Sequence, residues 1–183
     1  MNLLLAFAPF IAFVIIERIF GTFAGLASGA LISAAILVRD LMSSDRQVKI
    51  LEIGTFLLFG GLAVYAVVFD ASWSIAEVRL RVDAGLMLIV LASMALRQPF
   101  TLQYAREKVS KDKWNAPTFV RTNYAITFAW ALAFGTMVVA DLLMAYAPSV
   151  SPKAGIAITV VALYAAVKFT KWFPEKQRAA LGA

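Results

Sequence analysis

The chain has 183 residues, 62% of them hydrophobic, with a formal net charge of +6 and neither Cys nor His. Those two absences remove disulfides, thiolate nucleophiles, Cys/His zinc sites, haem ligation by either residue and the imidazole base. A mean hydropathy of +0.81, in a chain richer in apolar residues than the half that is usual for soluble domains, points to an all-α integral membrane protein.

In chain order, six spans are expected. The first covers about 2–18, NLLLAFAPFIAFVIIER, with Pro9 as a kink. It has neither the basic n-region nor the small-x-small cleavage site of a signal peptide, so it reads as a retained span. The second covers about 20–39, and Ile19 to Val38 is twenty residues without a charge. That is the length needed to cross about 30 Å of hydrocarbon. In it Gly21, Gly25, Gly29 and Ser33 recur every fourth residue. Such a ridge of small residues lets another helix backbone approach closely, either inside the bundle or across a homodimer seam.

The third span covers about 49–69, with Phe59-Gly60-Gly61 as a second point of close approach. The fourth, about 80–97, has only thirteen uncharged residues from Ala84 to Leu96, which puts Arg81, Asp83 and Arg97 near the interfaces. A connector, 98–119, leads to the fifth span at about 120–146. The sixth covers about 153–172, with Pro174 ending its helix. The tight turn at Glu17–Thr22 and the short fourth run leave a five-span alternative open.

Placing the N-terminus inside puts thirteen Lys and Arg in inner segments: Arg39, Arg46, Lys49, Arg97, Arg106, Lys108, Lys111, Lys113, Arg121, Lys168, Lys171, Lys176 and Arg178. Four remain outside: Arg18, Arg79, Arg81 and Lys153. The positive-inside rule therefore predicts cytoplasmic termini, a cytoplasmic connector and three successive hairpins.

Ionisable residues within spans are functional candidates by default. Glu17, Asp70, Glu77, Asp83 and Asp141 fall near the outer boundary, within reach of water. Glu77–Arg81 and Arg79–Asp83 have the i, i+4 spacing of helical ion pairs. Glu52 lies three residues from Lys49. Asp141 has no basic residue within a turn or two. Asn123, Thr127 and Trp130 line one face of the fifth span, with Asn123 expected to hydrogen-bond across to another helix.

Residues 97–123 carry six Lys or Arg and four aromatics between long apolar runs. Pro99 closes the fourth span, Thr101 caps a short helix over 102–110, and Leu102, Ala105 and Val109 share its apolar face. Glu107 and Lys111 are spaced to pair along it. An apolar stripe with basic flanks and a Trp describes a helix lying in the headgroup layer of an anionic leaflet. The same surface could serve partner docking, with Arg97, Phe100, Tyr104, Arg106, Lys108 and Trp114 as contacts. One such loop is too small a footprint for nucleic acid.

Signatures of membrane enzymes fail: there is no HExxH, GxSxG, GxxxxGK[ST] or GxGxxG. Asp40 and Asp45 in RDLMSSDR lack the further acid and the spacing of prenyl-transfer sites. No catalytic residue, cofactor or metal site is expected.

The stretches LLLAFAPFIAFV, TFLLFGGLAVYAVV, LRQPF and WNAPTFVRTNYAITFAWALAF resemble the bacterial intracellular septation protein A family over roughly residues 3–172. The chain departs from that pattern in TNYAIT ahead of Trp130 and in a longer, more basic connector. The resemblance implies a non-enzymatic, multi-pass protein of the bacterial inner membrane, in contact with division or wall-synthesis proteins. Beside this interaction protein stands a second possibility, a small-solute or lipid transporter working near Glu52 or Asp141, or an accessory subunit of a larger membrane complex.

Overall fold

A computed structural model describes residues 3–43, 47–147 and 151–180, and all regular structure among them is helical. A 3-10 turn, Leu3–Phe7, leads into α1 (Ala8–Phe20), followed by α2 (Thr22–Leu41), α3 (Ile50–Val68), α4 (Ile75–Ala95), α5 (Phe100–Arg106), α6 (Pro117–Tyr146) and α7 (Pro152–Ala180). Among the described residues, four helices are long and apolar enough to cross a membrane: α2, α3, α6 and, within α7, Lys153–Gln177. The chain is an all-helical protein with the makings of a membrane bundle. At 13 residues α1 extends only about 20 Å. The first turns of α4 carry Glu77, Arg79, Arg81 and Asp83, which interrupt its apolar face. The expected start of the first span at residue 2, the residues Asp45 and Arg46, and the side chain of Arg178 lie outside the described residues.

The chain divides into two compact units, with the boundary inside α4 between Ile89 and Val90. In the first unit, α1 and α2 form a hairpin about a single residue, Gly21, whose φ of 89° suits a residue without Cβ. Its amide donates to the Glu17 carbonyl. Reversal at Gly21 puts Gly25 against Glu17, so a Cβ at Gly25 would lie 2.7 Å from the Glu17 Cβ. One turn on, a Cβ at Gly29 would lie 2.7 Å from the buried Phe59 ring of α3. Ser33 is buried and its hydroxyl donates to the Gly29 carbonyl. The small-residue ridge is thus occupied by α1 and α3 of the same chain.

Phe59 is the centre of this unit's core, with Phe13, Leu26, Val78 and Val82. Its ring meets Phe10 and Phe13 at 5.0 and 5.6 Å between centroids. Gly60 and Gly61 do not bring a neighbour close, since a Cβ on either would meet nothing within 4 Å. The close passages between α3 and α4 lie at Gly54, against Ile89, and Gly85, against Leu58. These crossings make α3 and α4 antiparallel.

In the second unit α6 and α7 pack along their length. Trp130 Nε1 donates to the Thr170 hydroxyl at 3.0 Å, and Gly155 receives the Met144 side chain. Two expectations about proline are corrected. Pro9 occupies the first turn of α1, where its missing N–H costs no helical bond, and does not kink a span. Pro174 does not end α7, which runs on to Ala180. A proline inside a helix removes one backbone bond but does not oblige the chain to stop.

Candidate functional site

The connector is built from its two ends. α4 closes with Gln98 N–H donating to the Ser93 carbonyl and Arg97 N–H to that of Met94. This is the paired bonding of a Schellman cap, and it sets Arg97 in the left-handed region at φ 58°. Pro99 follows and prevents the helix from resuming. Ser93 ties the next element down: its hydroxyl donates to the Val90 carbonyl at 2.7 Å and accepts the Phe100 N–H at 3.1 Å.

α5 then docks on α6. The Thr101 hydroxyl lies 2.9 Å from the Asn123 carbonyl and 2.7 Å from the Thr127 hydroxyl, all three buried. Its one hydrogen goes to the Asn123 carbonyl, so the Thr127 hydroxyl donates to it, and Thr101 is an interhelical tie and not a cap. Phe100 stands edge-on to Trp130 at 6.4 Å. The Asn123 amide, expected to bridge helices, donates back to the Phe119 carbonyl of its own helix. Its backbone carbonyl makes the link instead.

Four further expectations about the connector change. Phe100 and Tyr104 are 0% and 3% exposed, so they anchor α5 internally and offer nothing to a partner. Leu102 is buried as well. The helix ends at Arg106, not at 110, so Glu107 and Lys111 share no helical face. Trp114 folds back, and its indole N–H is shared between the Arg106 and Val109 carbonyls at 3.1 and 3.3 Å. The Arg106 guanidinium lies over its ring at 5.5 Å, a cation–π contact. Arg106 and Trp114 therefore brace the loop and are only partly accessible. The freely exposed cations are Arg97, Lys108, Lys111, Lys113 and Arg121. Asp112 lies among them, and the Ser110 hydroxyl beside it holds its carboxyl below the usual carboxylate value.

A second polar cluster closes the α2–α3 loop. The Lys49 ammonium donates to Asp40 Oδ2 at 2.8 Å, to the Gln47 carbonyl at 3.2 Å and to Glu52 Oε1 at 3.3 Å. Arg39 bonds the other Asp40 oxygen at 2.8 Å. Lys49, Asp40 and Glu52 are each 2% exposed or less. An ammonium has three donors, and all three are engaged. Lys49 is therefore a clasp, with no lone pair free for base or nucleophile chemistry. Sequence spacing points to Lys49–Glu52 but not to Asp40, nine residues before Lys49. The available signal was its place, with Arg39, at the end of an uncharged run.

Two of the acids expected at the outer boundary differ from expectation. Glu17 and Asp141 are 4% and 2% exposed, so neither is a water-reached boundary residue. Glu17 draws Arg79, with Nε 3.7 Å from Oε2, while Glu17 Oε1 has no hydrogen-bond partner. Arg81 makes no direct hydrogen bond to the Glu77 carboxylate, although its charge favours the ionised form. It donates to the Glu77 carbonyl at 2.7 Å and covers the Trp73 ring at 4.5 Å. The Glu77 carboxylate accepts the Ser74 N–H at 2.8 Å while the Ser74 hydroxyl accepts the Glu77 N–H, a reciprocal cap that starts α4.

Among the described residues, no three carboxylates gather to hold a metal ion. Comparison with protein-family models, characterised proteins and solved structures gives no match to the chain.

Proposed function

We propose that this is a non-enzymatic, six-span interaction protein of a bacterial inner membrane, with both termini and the connector in the cytoplasm. The observation that carries the proposal is the division of labour within residues 97–121. Aromatic and hydroxyl side chains are spent on docking α5 to α6, while five cations stay exposed on the braced segment. A pre-shaped surface loses less conformational entropy on binding than a floppy one, and its charge suits an anionic leaflet or an acidic partner. The resemblance to the septation family suggests division or wall-synthesis proteins as those partners.

A photocrosslinking residue at Asn115, on the same exposed segment, tests the proposal in cells. A discrete membrane-protein adduct is expected, and K108E/K111E/K113E should abolish it without changing insertion, because none of the three holds α5. Lipid adducts alone, or a protein adduct that survives charge reversal, would overturn it.

Burial of Asp141 on α6 favours a second reading, a transporter of small solutes or lipids. Substrate flux in proteoliposomes that D141N abolishes would support it.

A further inference from the structure

An open groove of about 780 Å³ runs between α6 and α7 within the second unit. Its floor is alanine, including Ala129, Ala133 and Ala162, and Phe128, Phe169 and Phe173 stand on its walls. The single polar side chain on its surface, Thr136, donates its hydroxyl to the Leu132 carbonyl of its own helix. An occupant therefore meets methyl groups and ring faces, with no donor directed at it. That chemistry fits hydrocarbon.

Length and charge narrow the occupant. On α6 the groove runs from Ala125 to Thr136 and on α7 from Ala157 to Phe173, or about 16 and 24 Å at 1.5 Å per residue. One leaflet of a bilayer is about 15 Å of hydrocarbon, so an acyl chain entering at one end is covered through most of its leaflet. Arg121 precedes Ala125 by one helical turn, and Lys176 follows Phe173 by three residues. Each cation thus continues its own groove wall past the same end. The Trp130–Thr170 and Met144–Gly155 contacts fix the antiparallel register, which sets Arg121 and Lys176 within about a turn of the same height. Both are exposed, and the Lys176 ammonium lies 4.8 Å from the Trp172 ring. A Trp beside a cation is typical of the headgroup level. Towards the opposite end the nearby charges, Asp141 and Lys153, are of opposite sign.

The geometry points to a specific site for an anionic phospholipid: one acyl chain lies in the α6–α7 groove and Arg121 and Lys176 hold the phosphate. The inference rests on the membrane placement of α6 and α7, and not on the connector's partners. Each cation near an anionic headgroup contributes about 1 kcal/mol, a factor of about five.

The experiment uses the full chain in vesicles of phosphatidylcholine doped with spin-labelled phosphatidylglycerol or spin-labelled phosphatidylcholine. Electron spin resonance gives the relative association of each label with the protein. Wild type should favour phosphatidylglycerol by fivefold or more, R121Q/K176Q should lower that preference at least fivefold, and A129F/A162F should reduce the number of immobilised chains. K108Q/K111Q, on the connector, should leave the groove-dependent component in place and so separates the two sites. Equal association of both labels with wild type, or a preference unchanged in R121Q/K176Q, overturns the inference. The chain has no cysteine, so A129C offers one thiol in the groove. Disulfide-linked dimers of A129C in the membrane would show a second copy seated there and would likewise overturn it. Circular dichroism of each variant verifies the helical fold, and both charge substitutions lie on exposed side chains.

Discussion

Gly25 and Gly60 are both helical glycines in the first unit, and alanine should act on them in opposite directions. At either site alanine gains about 1 kcal/mol of helix propensity. At Gly60 nothing lies within 4 Å of the new methyl, so G60A should be more stable than wild type by about 0.5–1 kcal/mol. At Gly25 the methyl would lie 2.7 Å from the Glu17 Cβ, 3.0 Å from its Cα and 3.1 Å from its amide nitrogen. Two of those atoms are backbone and cannot rotate aside, so α1 must move off α2. Overpacking of this kind costs about 1–3 kcal/mol. Because the propensity gain is common to both variants, the difference between them isolates that cost: G25A should be less stable than G60A by about 1–3 kcal/mol. Unfolding in mild detergent with increasing SDS, followed by far-UV circular dichroism, measures it. Equal midpoints, or a G25A more stable than G60A, would refute the intrachain use of the glycine ridge.

Three other outcomes follow from the polar contacts. Lys49→Met leaves Asp40 and Glu52 buried without their shared cation, and removing one member of a buried ion cluster costs about 3–5 kcal/mol; K49M/D40N/E52Q should recover much of it in the same unfolding assay, and a neutral K49M would remove the clasp. Thr101→Val deprives the Asn123 carbonyl and the Thr127 hydroxyl of a buried partner, at about 1–3 kcal/mol, so protease should cut residues 107–116 faster in T101V while cleavage elsewhere stays the same. The Ser74 backbone N–H, and then its hydroxyl, hold the Glu77 carboxyl below its ordinary 4.5. A depressed carboxyl contributes stability above that ordinary value and loses it as pH falls through the depressed one. Amide protection at residues 75–78 should therefore drop at acid pH in wild type and be low and pH-independent in E77Q.

What could be read from the sequence was what depends on composition along one stretch of chain. Ile19–Val38, Ile53–Phe69 and Thr122–Ala140 each announce a helix, because an uncharged run of that length has few other stable forms in a membrane. The ridge at Gly25, Gly29 and Ser33 was legible for the same local reason. Its partner was not, since small residues state that an approach is possible without naming the surface that approaches. Gly54 and Gly85, single glycines with no repeat, gave no signal although each admits a bulky side chain of the other helix. In the connector, Phe100, Tyr104 and Trp114 looked like anchors for a partner because aromatic residues in a basic loop suit either an outward or an inward role. What decided the matter was Thr101 meeting Thr127 across 26 residues of sequence, a pairing that no local pattern encodes.

The two units spend their small residues differently, and this bears on where contacts with other molecules belong. In the first unit glycine admits something bulky from the same chain: Glu17 at Gly25, Phe59 at Gly29, Ile89 at Gly54 and Leu58 at Gly85. Lipid tails are as apolar as these side chains, so such close packing supplies the dispersion that holds helices together in a bilayer. In the second unit the alanines of α6 and α7 face a groove that no side chain of that unit fills. Alanine is the best helix former, so propensity alone accounts for its presence, but not for its alignment on two facing helices. An unfilled apolar channel in a membrane does not stay empty, because lipid chains fill space that protein leaves. Selectivity must then come from the ends, where hydrocarbon gives way to charge. Arg121 and Lys176 stand at one such end, and an anionic headgroup is the complement they provide for.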